Sequence, residues 1–351
     1  MKILEDIRLN VSLLRRRVPN LTTAARSVGL RPATVSNLCT GKIPVGRAEV
    51  RTLVALADLA ECSLDELLIR GEKMEMIETG IKTLDVFAPL AKGGTVGLVA
   101  RPGMGQLVVL AELFHRLRNN DFTTVLLLPE GDHLGVNDVL DEVQIQVKTI
   151  KEAYDEIAKI GITNEIVFAA DRSHVITGEI QTLQEKLHSI GIDSVTTVLV
   201  DLKGEVVDED VPFGPLETLW QFDADLTARH QYPAINPVYS TSSVLEGAHL
   251  DQTHFTIQQR AKKLLRRYRE LRSLVTVHGI EKLPETEVQA YKRGERLEAY
   301  LTQPFYVAEA FTGKKGESIS LQDTLLDIRK ILDGSTDSND VSELAYIGKL
   351  S

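Results

Sequence analysis

Apolar positions recur along the chain with two different periods, and the change between them divides it. Up to about residue 70 they return at helical spacing. The run ILEDIRLNVSLLRRRV, Ile3 to Val18, predicts a first helix on that pattern. Leu21 to Val28 follows Asn20, a good N-cap, and sets Ala24, Ala25 and Val28 on one face. Gly29 predicts the end of that helix, because a helix commonly stops at a residue with positive φ. Arg31-Pro32 opens the next, since proline is tolerated in a first turn, and Val35 with Leu38 gives it one buried stripe. Two more helices are predicted near Arg47 to Leu59 and Ser63 to Leu68, making five short ones in all.

Beyond residue 71 the period shortens. TVGLVA at 95–100, TTVLLL at 123–128, EIVFAA at 165–170 and TTVLVD at 196–201 are apolar, β-branched runs separated by helical stretches. Such alternation predicts a parallel sheet wrapped by helices. After Asp251 the chain turns almost purely helical, with Leu264, Leu265, Tyr268, Leu271 and Leu274 on one stripe. The expected class is α/β, in three parts: residues 1–70, 71–250 and 251–351.

Charge sharpens the first boundary. Overall the net charge is −10, but residues 1–70 hold 11 Lys and Arg against 7 Asp and Glu, while residues 71–351 hold 29 against 43. A head at +4 joined to a body at −14 points to the head as the part that meets a polyanion. Ordinary globular values, 43% hydrophobic and 26% charged, exclude a wholly disordered or collagen-like chain. No apolar run reaches spanning length, and Glu5 and Asp6 break any greasy leader, so a cytoplasmic protein without a membrane partner is expected. Two cysteines, Cys39 and Cys62, are too few for a disulfide framework or a four-ligand zinc site.

The chemistry concentrates after the first body strand, where Ala100-Arg101-Pro102-Gly103-Met104-Gly105-Gln106-Leu107 runs into the helix VVLAELFHRL. Strand, glycine-bearing loop and helix are the architecture of a phosphate-binding loop, which aims backbone N–H groups at phosphate. Against the pattern GxxxxGK[ST], Ala100 replaces the first glycine, Gln106 the lysine and Leu107 the magnesium-binding hydroxyl.

Two family resemblances add to these patterns. The stretch LTTAARSVGLRPATVSNLCTGKIPVGRAEVRTLVALADLAECSLDELL resembles the Cro-type phage repressors and implies an all-α helix-turn-helix. It implies a recognition helix at Pro32 to Cys39, with Ala33, Thr34 and Asn37 at base edges and Arg31, Thr40 and Lys42 at phosphates of duplex DNA. ETGIKTLD, YPAINPVYSTSS and QPFYVAEAFTG, within residues 76–351, resemble the β subunit of the rotary ATP synthases. That likeness implies a RecA-like nucleotide-binding domain, then a helical C-terminal domain. It implies a nucleotide site at Gly103, Met104, Gly105, Gln106 and Leu107, with Tyr232, Phe305 and Phe311 as the aromatic pocket for a purine. Glu130 and Asp201 stand as vestiges of the family's catalytic carboxylates, and no metal ligand set is expected.

The resulting expectation is a DNA-binding regulator with a catalytically inactive, oligomer-forming body that holds ATP or ADP without magnesium-dependent hydrolysis. Two alternatives stand beside it: a structural adaptor that joins a ring or filament without DNA, and a slow ATPase in which Arg101 replaces the lost lysine.

Overall fold

The computed structural model describes the chain apart from residues 1–6, 11–12, 15–16, 19–20, 40–42, 44, 71–74, 119, 132, 134, 162–163, 210–215, 247–250 and 351. It divides into two compact units, residues 1–74 with 246–250, and residues 75–245 with 251–351.

In the smaller unit the expected opening helix is corrected at its start: Ile7–Leu9 is a strand, β1. It pairs antiparallel with β2, Leu68–Arg70, so the stretch read as one helix is divided by a contact with the far end of the same unit. Leu13, Leu14 and Arg17 are helical, as the spacing predicts. The helix Leu21–Ser27 ends at Gly29, whose φ of 75° is the left-handed conformation that glycine takes without a Cβ penalty. There the Leu30 N–H reaches Ala25 O at 2.8 Å and the Gly29 N–H reaches Arg26 O at 3.1 Å, which together form a Schellman stop. The next helix, Pro32–Cys39, has the predicted bounds. Val50–Leu59 follows a 3-10 turn at Val45–Arg47, and Leu64–Leu67 begins with a capping box between Ser63 and Glu66. Leu14, Ala25, Val35, Leu38, Leu56 and Leu67 meet in this unit's core.

The larger unit opens with a small antiparallel pair, β3 (Met76–Ile77) and β4 (Leu90–Ala91). Its main sheet is built from β5 (Thr95–Val99), β6 (Phe122–Leu127), β7 (Ile145–Val147), β8 (Glu165–Asp171), β9 (Val195–Val200), β10 (Thr218–Gln221) and β11 (Thr241–Ser242). The strands lie in the order β11-β10-β5-β9-β8-β6-β7, and every neighbouring pair is parallel except β10 with the edge strand β11. Buried runs such as TVLV in β9 have apolar residues on both faces because helices cover both. One face packs against the helix Gln106–Arg118, the other against Ile150–Ile160 and Glu179–Ser189.

A third cluster gathers the helices Gln252–His278, Glu285–Leu301 and Leu321–Asp333 around Val86 and Phe87. Of the stripe predicted on the long helix, Leu265, Tyr268 and Leu271 are buried while Leu274 is 47% exposed. The parallel sheet and the C-terminal helices thus share one compact unit. No helix among the described residues is long and apolar enough to cross a membrane.

Candidate functional site

The sheet order places β5 between β9 and β10, so the loop that leaves β5 lies beside the carboxyl end of β9. Open parallel sheets bind ligands at such ends. Gly103 and Gly105 hold φ of 85° and 90°, with open space where a Cβ would stand. The glycines therefore serve backbone conformation, and the loop delivers the chain into Gln106–Arg118.

The first residues of that helix depart from phosphate chemistry. Gln106 and Leu107 are 5% and 8% exposed, and Leu107 belongs to the main apolar core. A small pocket beside it is lined by Leu107, Leu126, Pro129, Val136, Val139 and Leu202. Within the loop, the Arg101 N–H donates to Met104 Sδ at 3.3 Å, so the thioether occupies one backbone donor. Pro102 and Arg101 are crowded from outside by Gly204, where a Cβ would stand 2.9 Å from Pro102 Cδ. That neighbour is pinned by Asp201, which is buried at the end of β9 and accepts N–H groups from Gly204, Glu205 and Val206 at 3.1, 3.2 and 2.8 Å. Asp201 thereby organises the short helix Glu205–Glu209.

A cavity of about 550 Å³ brings Gly103, Met104 and Gly105 together with Tyr232, Phe305 and Phe311. The aromatic trio comes from two separated segments, Phe305 and Phe311 from QPFYVAEAFTG and Tyr232 from YPAINPVYSTSS, and lines this one cavity. Phe305 is 6% exposed, Tyr232 37% and Phe311 87%. Gln106 and Leu107 are not in the lining, which departs from the expected site. Glu130 and Arg101 are exposed, and neither of them lines this cavity. Other wall residues carried no signal of their own: Asp138, His230, Gln303, Lys314 and Tyr346. Tyr346 accepts the Tyr232 N–H at 3.1 Å and donates to the carbonyl of His230, and Lys314 Nζ lies 4.6 Å over its ring.

Behind the cavity stands a buried charge network that sequence inspection missed. Arg116 and Glu112 pair at 2.7 Å, both nearly inaccessible. Arg116 also donates to Gly80 O at 2.9 Å and Glu317 O at 2.8 Å, and Glu112 accepts the Val307 N–H at 3.1 Å. The Arg116 guanidinium lies 5.9 Å from the Phe305 ring centroid and 5.2 Å from that of Tyr306. These bonds fasten the QPFYV segment, whose Gln303 amide reaches Gly80 O at 2.8 Å. Within ETGIKTLD, Asp85 accepts from Thr79 N, Thr79 Oγ1 and Gly80 N, while burial pushes its carboxyl up to about 7. Lys82 donates to the carbonyls of Tyr300 and Ile347, and burial pulls its ammonium down to about 7 against the attraction of Asp327.

In the smaller unit Arg31 and Ala33 are exposed and Thr34 and Asn37 are half-buried, all at or within the helix Pro32–Cys39. Thr40 and Lys42 lie outside the described residues.

A cavity at the carboxyl ends of a parallel sheet, followed by a helical bundle, agrees with two comparisons. The family described as the C-terminal domain of V and A type ATP synthase matches residues 245–332. Among solved structures, a unique ATP synthase subunit, NeqB from Nanoarcheaum equitans, is similar with a TM-score of 0.59 and 16% identity, over 76% of this chain and 78% of that one. The chain therefore has the fold of an ATP synthase subunit.

Proposed function

We propose that this chain is a non-catalytic counterpart of the ATP synthase subunits, serving as an assembly component whose body joins other copies or other subunits and whose head offers a helical contact module. The supporting observation is the contrast within one site. The cavity is open and takes its aromatic residues from two separated segments, while the residues after the glycine loop are buried in the core and Asp201 is occupied by three backbone donors. Without a lysine and a hydroxyl at that turn, nothing there bridges metal to the transferring phosphoryl. The cavity is then a ligand site for an aromatic ring that reports or stabilises assembly, and it performs no hydrolysis. The solved relative is described as an ATP synthase subunit, which supports assembly as the role. Light scattering of the purified full chain tests this: the expected result is a mass of two or more copies at tens of micromolar, or a defined complex when partner subunits are added. A monomer that joins neither would remove it.

A second reading keeps the head as a DNA-binding module, and the observation that favours it is the Schellman-stopped helix pair Leu21–Ser27 and Pro32–Cys39 with Arg31 exposed at the junction. In this reading the body supplies the copy number and residues 1–70 meet duplex DNA. Fluorescence anisotropy with genomic duplexes at low salt separates the two: retention supports the regulator, and none supports the adaptor. Arg101 as a replacement for the lysine has no support from the cavity lining, from which it is absent.

A further inference from the structure

The large cavity has an uneven distribution of charge and polarity. Its volume, about 550 Å³, suits a molecule of nucleoside size. Phe305, Phe311 and Tyr232 supply ring faces, and Gln303, Tyr346 and Lys314 supply polar groups. At the glycine-loop end the lining carries a carboxylate, Asp138, and no cationic side chain from the loop itself. A Cβ built at Gly135 would lie 3.4 Å from Leu107 Cβ and 3.9 Å from Asp138 Oδ2, so this carboxylate stands at the turn that carries Leu107.

We infer that this cavity takes a flat, uncharged aromatic ligand such as a purine nucleoside and discriminates against nucleoside di- and triphosphates. The inference rests on the reading of the cavity as a ligand site and specifies its chemistry. Three features act together against a polyphosphate. The Met104 thioether takes the Arg101 N–H, and Gly204 closes against Arg101 and Pro102 from the β9 side. Leu107 fills with hydrocarbon the place where a metal-bound phosphate would need a hydroxyl. Asp138 then faces whatever charge remains, and like charges in a partly dehydrated site repel. The first-turn N–H groups of Gln106–Arg118 offer only fractional positive charge, and the Lys314 ammonium of the lining is already laid over the Tyr346 ring. An uncharged ring system meets none of these costs. It gains the aromatic faces and the hydrocarbon of Val108, Val109 and Val307.

Isothermal titration of the full chain with adenosine, AMP, ADP and ATP, in chelator and again with magnesium, reads the discrimination directly. The expected result is adenosine binding about tenfold or more tighter than ATP, with affinity falling as phosphates are added and magnesium giving no rescue. Asp138→Asn should narrow the gap by about threefold or more, and Phe311→Ala should weaken adenosine binding, which assigns the site. ATP binding tighter than adenosine, yet still weakened by Phe311→Ala, would overturn this inference while leaving the ligand-site reading in place. Binding by none of the four at millimolar concentration would overturn both. An unchanged adenosine-to-ATP gap in Asp138→Asn would remove the carboxylate as its cause and overturn the electrostatic argument.

Discussion

The hydroxyl of Tyr346 accepts the backbone N–H of Tyr232 at 3.1 Å, joining residues 114 positions apart across one wall of the cavity. Tyr346 also donates to the His230 carbonyl, so one phenol closes two backbone groups of the same turn. Burial raises its hydroxyl above the ordinary phenol value, so it stays a donor to higher pH than an exposed tyrosine would. Tyr346→Phe keeps the ring under Lys314 and removes both bonds. The expected cost is about 1 kcal/mol per bond, and ligand affinity in the cavity should fall by about fivefold or more by titration calorimetry. Equal affinities in the two proteins would mean that the wall holds without this residue.

The pair of Arg116 with Glu112 predicts a stability effect distant from any ligand contact. Truncating one partner of a buried pair leaves the other charge uncompensated and costs about 3 to 5 kcal/mol. Arg116→Met should therefore lose that much in urea unfolding. The double change Arg116→Met with Glu112→Leu should cost less than the sum of the two single changes, because the residues share one network. Additive losses would show two independent residues.

Lys82 gives a pH dependence with a definite sign. Its folded value, about 7, lies below the ordinary lysine value of 10.5, so the folded protein binds fewer protons than the unfolded chain between those limits. The contribution is fully present above the unfolded value and is lost as pH falls toward 7. The stability of the wild type relative to Lys82→Met should thus grow from pH 7 to pH 9, by up to about 1.4 kcal/mol per pH unit. A flat difference in urea unfolding across that range would show that the buried ammonium keeps its proton.

For the head, Arg31 is the exposed cation at the start of Pro32–Cys39. If this unit meets duplex DNA, Arg31→Ala should weaken binding to all sequences alike and reduce the salt slope of log affinity by about one. Loss confined to one sequence would make Arg31 a base reader instead.

These residues also show where the sequence is informative. The strands TVGLV, TVLL, EIVFAA and TTVLV are legible because each is buried on both faces and long enough to form an apolar run. β7, β10 and β11 span two to four residues, too few for a period, and depend on neighbours already in place. Ile7–Leu9 reads as helix from its own spacing and becomes a strand only because Leu68–Arg70 returns beside it. The aromatic trio could be named through QPFYVAEAFTG and YPAINPVYSTSS, whereas Tyr346 and Asp138 stand in ordinary surroundings and acquire meaning only in the folded wall. Lys82, Asp85, Glu112 and Arg116 read as surface charges on their own, and their burial depends on Gly80, Tyr300 and Glu317 being brought to them.

Absence of ATP turnover is what would set this body apart from a working ATPase. Phosphate release from ATP by the purified full chain, with magnesium, is the deciding measurement. Release should be indistinguishable from a protein-free control, and unchanged in Glu130→Gln and in Arg101→Ala, because both side chains are exposed and absent from the cavity lining. Magnesium-dependent turnover in the common enzyme range, roughly 1 per second or above, and abolished by either substitution, would contradict it.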